Sequence, residues 1–216
     1  MSSATATRPT LDVRYRTIDL ITIATLAVAL GVVFWGWGKL YEPISALALF
    51  SYPPSSALLA GPWLLAGVLG GLIVRKPGAA FATEFLAAAV STVVVGGTQW
   101  GWTVFASGFF QGLGAELIFL AVFYRRFGPV VAMAAGAGAA IIEAFYEWTQ
   151  FARGWGWDYK LAHLGFLTLS GIVVAGLGGW LLVRALATAG VLDAFGAGRE
   201  AAEKQSGDIA SGPGTV

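Results

Sequence analysis

Residues 129–160 read PVVAMAAGAGAAIIEAFYEWTQFARGWGWDYK, and the two halves of this stretch decide what fold the chain can adopt. From Pro129 to Ile142 there is no charge and almost every residue is small. That is the composition of a helix packed tightly against others in a membrane. The second half carries Glu143 and Glu147, four residues apart and so stacked on one helical face, with Gln150 and Phe151 continuing it. Tyr146, Trp148, Trp155, Trp157 and Tyr159 crowd the same region. Carboxylates beside ring faces at a membrane edge suit a flat, positively charged organic ligand, which they neutralise and stack upon. The same residues also fit an interfacial aromatic belt with two solvated glutamates. The stretch alone leaves both open.

The rest of the composition agrees with a membrane setting. Of 216 residues, 57% are hydrophobic and only 12% charged, and long apolar runs recur with short breaks, so the chain is a multi-pass membrane protein. Cysteine is absent, which excludes disulfides, thiolate metal sites and a cysteine nucleophile. His163 is the single histidine, so a histidine-built metal centre is disfavoured, and no cofactor is expected. There is no GxxxxGKS/T phosphate loop, so the chain cannot itself use ATP. Ser107-Gly108 and Ser170-Gly171 lack an arranged base for serine hydrolysis. No internal repeat of the kind built into many secondary transporters is evident.

Apolar runs predict spans over residues 17–37, 57–74, 79–95, 103–123, 129–150 and 161–187. Between the first two, residues 38–56 carry Pro43, Pro53 and Pro54 around a short apolar patch, which reads as a re-entrant or interfacial loop holding Tyr41, Glu42 and Tyr52. Residues 96–102 (GGTQWGW) form a second loop with Gln99, Trp100 and Trp102. Glu84 lies two turns inside its span, where a carboxylate must be partnered; it is expected to pair with Arg75 or Lys76 or to cap a helix end. Gly108, Gly112 and Glu116 share one face and suggest a close, polar helix contact.

Six spans put both termini on one side, and the charges agree. Arg8, Arg14, Arg16, Arg75, Lys76, Arg125, Arg126, Arg184, Arg199 and Lys204 fall on that side, against Lys39, Arg153 and Lys160 on the other. This is the bias of cytoplasmic termini. The expected organisation is a cytoplasmic tail over 1–16, a six-helix domain over 17–188, and an amphipathic segment with a disordered end over 189–216. The fold class is all-α: a six-transmembrane-helix bundle with an outward-facing cup.

A six-helix protein with an outer cup and no energy source needs partners to transport anything. That profile resembles the S-components of energy-coupling-factor (ECF) vitamin transporters. The residues that narrow it are Tyr41-Glu42-Pro43, the run Arg75-Lys76-Pro77-Gly78-Ala79-Ala80 with Glu84, Gln111-Gly112-Leu113-Gly114-Ala115-Glu116, and Ser170-Gly171 followed by Ala175-Gly176-Leu177-Gly178-Gly179. Together these look like the YkoE type, associated with thiamine and its hydroxymethylpyrimidine precursor.

The resemblance implies a bacterial cell-membrane protein that captures thiamine or hydroxymethylpyrimidine from outside and works with an ECF transmembrane coupling subunit and cytoplasmic ATPases. It gives the small-residue face of Ala27 and Gly31 a role in contacting the coupling subunit. No nucleic-acid partner is expected. For the cup, location and chemistry nominate Glu143, Glu147, Tyr146, Trp148, Trp155, Trp157, Gln111, His163, Trp102 and Tyr41. The competing readings are an S-component for another vitamin, a structural assembly subunit, and a membrane enzyme using Glu143 and Glu147 as an acid–base pair. Enzymes of that last kind usually need metal-binding aspartates or histidines, which are missing here.

Overall fold

The computed structural model describes residues 13–93 and 97–210, with side chains as far as Ser206. The residues expected to form the N-terminal tail up to position 12, Arg8 included, and those from 211 onward lie outside the described part. The helices are α1 Thr17–Ser45, α2 Leu65–Val74, α3 Ala79–Val93, α4 Thr103–Ala121, α5 Pro129–Gln150, α6 Trp157–Ser170, α7 Gly179–Thr188 and α8 Gly196–Ala210. No strand occurs among the described residues.

Among the described residues, four stretches are long and apolar enough to cross a membrane, α1, α4, α5 and the continuous helix Trp157–Thr188, and a bent pair adds a fifth if it is one span. With fifteen residues, α3 rises only about 22 Å, short of a hydrocarbon layer of about 30 Å. The first span is longer than the apolar run suggests, because the helix continues through Pro43 to Ser45. Pro43 sits in the last turn, where losing one backbone donor costs little.

The second pass is not a regular helix. Proline at 53, 54 and 62 removes backbone donors, and the chain takes tight 3₁₀ turns over Pro53–Leu59 and Gly61–Leu64 before α2 begins. The chain bends by 49° between Pro53–Leu59 and Gly61–Val74. Ser170 on α6 closes the break: its hydroxyl accepts from the Gly61 N–H at 2.9 Å and donates to the Leu58 carbonyl at 2.6 Å. A Cβ on Gly61 would lie 2.5 Å from that of Val174, so only glycine admits this approach.

Buried carboxylates fix the corner between α2 and α3. Glu116 on α4 accepts from the Gly78 N–H at 2.6 Å and the Phe81 N–H at 3.2 Å, capping α3. Glu84 on α3 accepts from the Gly67 N–H at 2.6 Å and caps the first turn of α2. Of its two expected roles Glu84 therefore takes the cap and not the pairing with Arg75 or Lys76. Lys76 instead pairs with the fully buried Asp19 at 2.8 Å, as does Arg16 at 2.8 Å. Tyr15 donates to the Pro77 carbonyl at 2.9 Å, and burial together with the Glu116 and Asp19 carboxylates pushes its phenol up to about 12. The start of α1 is thus locked onto the α2–α3 corner.

The core between these helices is made of alanine and glycine. Ala115, Ala132, Ala135, Ala139 and Ala140 are buried, and a Cβ on Gly114 would lie 2.3 Å from the Gly138 carbonyl oxygen. Gly136 likewise faces Gly171, where the helix Trp157–Thr188 relaxes into a π-helical stretch over Gly171–Gly178. Gly108 and Gly112 face α3, matching the close contact expected of their spacing. Beyond α7, the residues read as a disordered end are helical as far as Ala210, and Arg75 joins α8 to the bundle through Glu200.

Candidate functional site

Asp19 marks one end of the bundle, and Tyr41, twenty-two residues further along α1, lies about 33 Å away. There, among Tyr41, the 3₁₀ segments, the 97–102 loop and the ends of α4, α5 and α6, is a cavity of about 500 Å³. That lies in the range of small-molecule sites.

One wall is aromatic. Tyr41, Trp63 and Trp100 pack edge-on, with ring centroids 5.2 to 5.6 Å apart. The Trp63 indole N–H donates to the Phe34 carbonyl at 3.1 Å and that of Trp37 to the Leu59 carbonyl at 2.8 Å. The Trp63 ring is thus fixed by a backbone acceptor, and Tyr41 and Trp100 pack against it. The facing wall is polar. Gln111 donates to the Ser107 hydroxyl at 2.8 Å, and Ser107 donates to Oε1 of Glu143. Glu143 is only 2% exposed, and its Oε2 has no partner among the described residues although the side chain lines the cavity. A buried acceptor without a donor is costly in the empty pocket and is satisfied by an N–H or a cation.

Next to it, Glu147 Oε2 lies 2.8 Å from His163 Nε2, tying α5 to α6. The His163 ring meets Trp155 edge-on at 5.7 Å, and its Nδ1 has no partner among the described residues. The site therefore offers acceptors at one side and ring faces at the other, which suits a planar ligand carrying N–H groups or positive charge.

Residues 18–142 match the family model described as the permease component of ABC-type cobalt transport systems. The chain belongs to this family. It is 29% identical over 191 residues, 87% of its own length and 92% of the relative's, to YkoE of Bacillus subtilis (strain 168), designated an HMP/thiamine permease protein. Its fold matches the crystal structure of an S-component of an ECF transporter with a TM-score of 0.84 and 26% identity, covering 94% of this chain and all of that one. The resemblance to ECF S-components of the YkoE type, read from the motifs, holds in both sequence and fold. Family and relatives are transport components, so this permease is not an enzyme.

Of the residues nominated from sequence, this permease brings Tyr41, Gln111, Glu143, Glu147, Trp155 and His163 to the cavity. Tyr146 and Trp148 are turned away. Tyr146 donates to the Thr103 carbonyl at 3.0 Å and stacks on Phe110, while Trp148 packs edge-on against Phe145 and Trp157. A step of 100° per residue rotates both off the Glu143–Glu147 face. Trp102 and Trp157 are 78% and 70% exposed and lie outside the cavity. Ala27 and Gly31 do not present an outer face: they are buried, and a Cβ on Gly31 would lie 2.6 Å from Val90 Cγ1. Their small size serves the packing of α1 on α3.

Sequence reasoning missed Trp63, Trp100 and Ser107. Trp63 sits inside an apolar run, which marks it only as part of a span, and Trp102 was nominated in place of Trp100. Ser107 did leave a signal, since it precedes Gln111 by four residues and shares its face.

Proposed function

We propose that this permease is the substrate-capturing S-component of an ECF-type uptake system and that its cavity takes thiamine or hydroxymethylpyrimidine. The observation that carries the reading is Glu143, a buried carboxylate with one uncommitted oxygen on the cavity wall opposite the Tyr41–Trp63–Trp100 rings. The aminopyrimidine of either ligand supplies an N–H donor, and thiamine adds a thiazolium charge for the ring faces and for Glu147. YkoE, designated an HMP/thiamine permease, favours the same ligand class. The word cobalt in the family description finds no matching donor set: among the described residues no three of His, Asp and Glu converge as metal ligands.

In this reading α3 is a short sixth span within a substrate domain over residues 17–188. The termini face the cytoplasm of a bacterial cell and the cavity opens outward, because the basic residues gather at the opposite end. A transmembrane coupling subunit and cytoplasmic ATPases supply the energy. The test is tryptophan fluorescence of the purified chain titrated with thiamine, hydroxymethylpyrimidine and riboflavin. Saturable quenching by a pyrimidine ligand, weakened roughly tenfold or more in Glu143→Gln, is the expected result. Quenching by riboflavin alone would assign the cavity to another vitamin.

A further inference from the structure

At the basic end a second cavity, of about 610 Å³, lies between α7 and α8 and reaches Leu72, Arg75 and Phe127. Its charged lining is Arg75, Arg184, Lys204, Asp193 and Glu200. These charges are not equivalent. Both terminal nitrogens of Arg75 are committed to Glu200, at 2.5 and 2.9 Å, so that pair neutralises itself inside the protein. Neither Arg184 nor Lys204 forms an ion pair among the described residues. Set against Asp193, they leave the groove one positive charge.

Depth decides what such a charge meets. Arg184 lies one turn before the end of the apolar helix Trp157–Thr188, which puts it at the level of lipid headgroups. Its guanidinium stacks over Trp180 at 5.6 Å, and Trp180 and Leu181, four and three residues earlier, share its face one turn deeper. Leu181 is half exposed, so apolar surface continues from the cation one turn towards the membrane centre. A cation at headgroup depth, a second one across a groove and an apolar track below them match the parts of one phospholipid.

We propose that the groove between α7 and α8 binds an anionic phospholipid, with Arg184 and Lys204 holding the phosphodiester and the acyl chains lying along Trp180 and Leu181. Asp193 selects for a headgroup that carries hydroxyl donors and a single negative charge, as in phosphatidylglycerol, and opposes a bare phosphate dianion. The site is separate from the ligand cavity and does not depend on what that cavity takes.

Native mass spectrometry of the full chain in micelles doped with phosphatidylglycerol or phosphatidylcholine tests this. The wild type should retain phosphatidylglycerol selectively, and the double variant R184Q/K204Q should bind it roughly thirtyfold more weakly, about fivefold per charge removed. Pyrimidine-ligand binding should be the same in both. Should the double variant not purify folded, Lys204→Gln alone, on an exposed helix, should show the fivefold loss. Equal retention of the two lipids by the wild type, or undiminished phosphatidylglycerol binding by the variants, overturns the proposal. So does full displacement of the lipid by soluble glycerol 1-phosphate, which would make the groove a site for a free phosphate ester.

Discussion

Both ends of this bundle bury carboxylates, and they use them in opposite ways. At the basic end Glu116 takes two backbone N–H groups and Asp19 takes two cations, so each acid is spent on holding helices together. Glu84, between them, caps α2 with one oxygen; its other oxygen has no partner among the described residues, and the side chain lies outside the two cavities described above. At the far end Glu143 is as deeply buried, yet its unmatched oxygen belongs to a side chain on the wall of a 500 Å³ space. Around it the residues are large and the helices are interrupted by proline, whereas alanine and glycine let α4, α5 and the helix Trp157–Thr188 approach to backbone contact. A buried acid is thus satisfied where backbone donors or cations surround it and keeps an unmatched oxygen where a cavity does.

The sharpest way to break this contrast is to fill the packed half. Gly114→Val drives a side chain into the Gly138 carbonyl, 2.3 Å from the would-be Cβ. It should destabilise the bundle by about 3 kcal/mol or more. The expected sign is a large drop in thermal midpoint or loss of monodisperse protein; wild-type melting would refute the close approach. Glu116→Leu strips the α3 cap and leaves the Gly78 and Phe81 N–H groups without their acceptor, at a cost of about 2 kcal/mol. Glu116→Gln, which keeps an acceptor oxygen, should melt between it and the wild type. Ligand affinity should follow neither change in the protein that remains folded.

The other half should respond in affinity instead of stability. Trp63→Leu removes one ring of the aromatic wall and should weaken pyrimidine-ligand binding roughly tenfold. Trp157→Leu, at an exposed position, should leave the titration curve in place; a matching loss there would move the site out of the cavity. The smallest effect belongs to the Arg75–Glu200 fork, whose glutamate side chain is 59% exposed. Glu200→Gln should cost about 0.5 kcal/mol or less. The Arg75 guanidinium holds the Glu200 carboxyl below its usual range. Its contribution is therefore present above the unfolded value of about 4.3 and fades as pH falls through the folded one. The melting difference between wild type and variant should close in acid; a constant difference would place the effect elsewhere.

How much of this was legible in the chain depended on whether a feature lives within one helix or between several. The fifth helix was read residue for residue, because Pro129 at its first turn and an unbroken apolar run define it locally. The 3.6-residue repeat alone put Glu143 and Glu147 on one face, and both line the cavity. The bend before α2 was not legible, since its closure rests on Ser170, 109 residues away from Gly61. Nor was the choice of Trp100 over Trp102, two loop residues whose sequence surroundings are nearly alike. Ala27 and Gly31 misled for the same reason: small residues announce a close contact but not with which partner.

By itself, the sequence determined that this is a multi-pass membrane protein with its basic residues gathered at one end and an acidic, aromatic region at the other. Those properties follow from composition and periodicity, which act on each segment separately. Only the tertiary structure decided which rings face Glu143, which carboxylates become caps, and that a cavity remains at all. Those outcomes depend on how residues far apart in the chain approach, and that is set by how closely small residues let the helices pack.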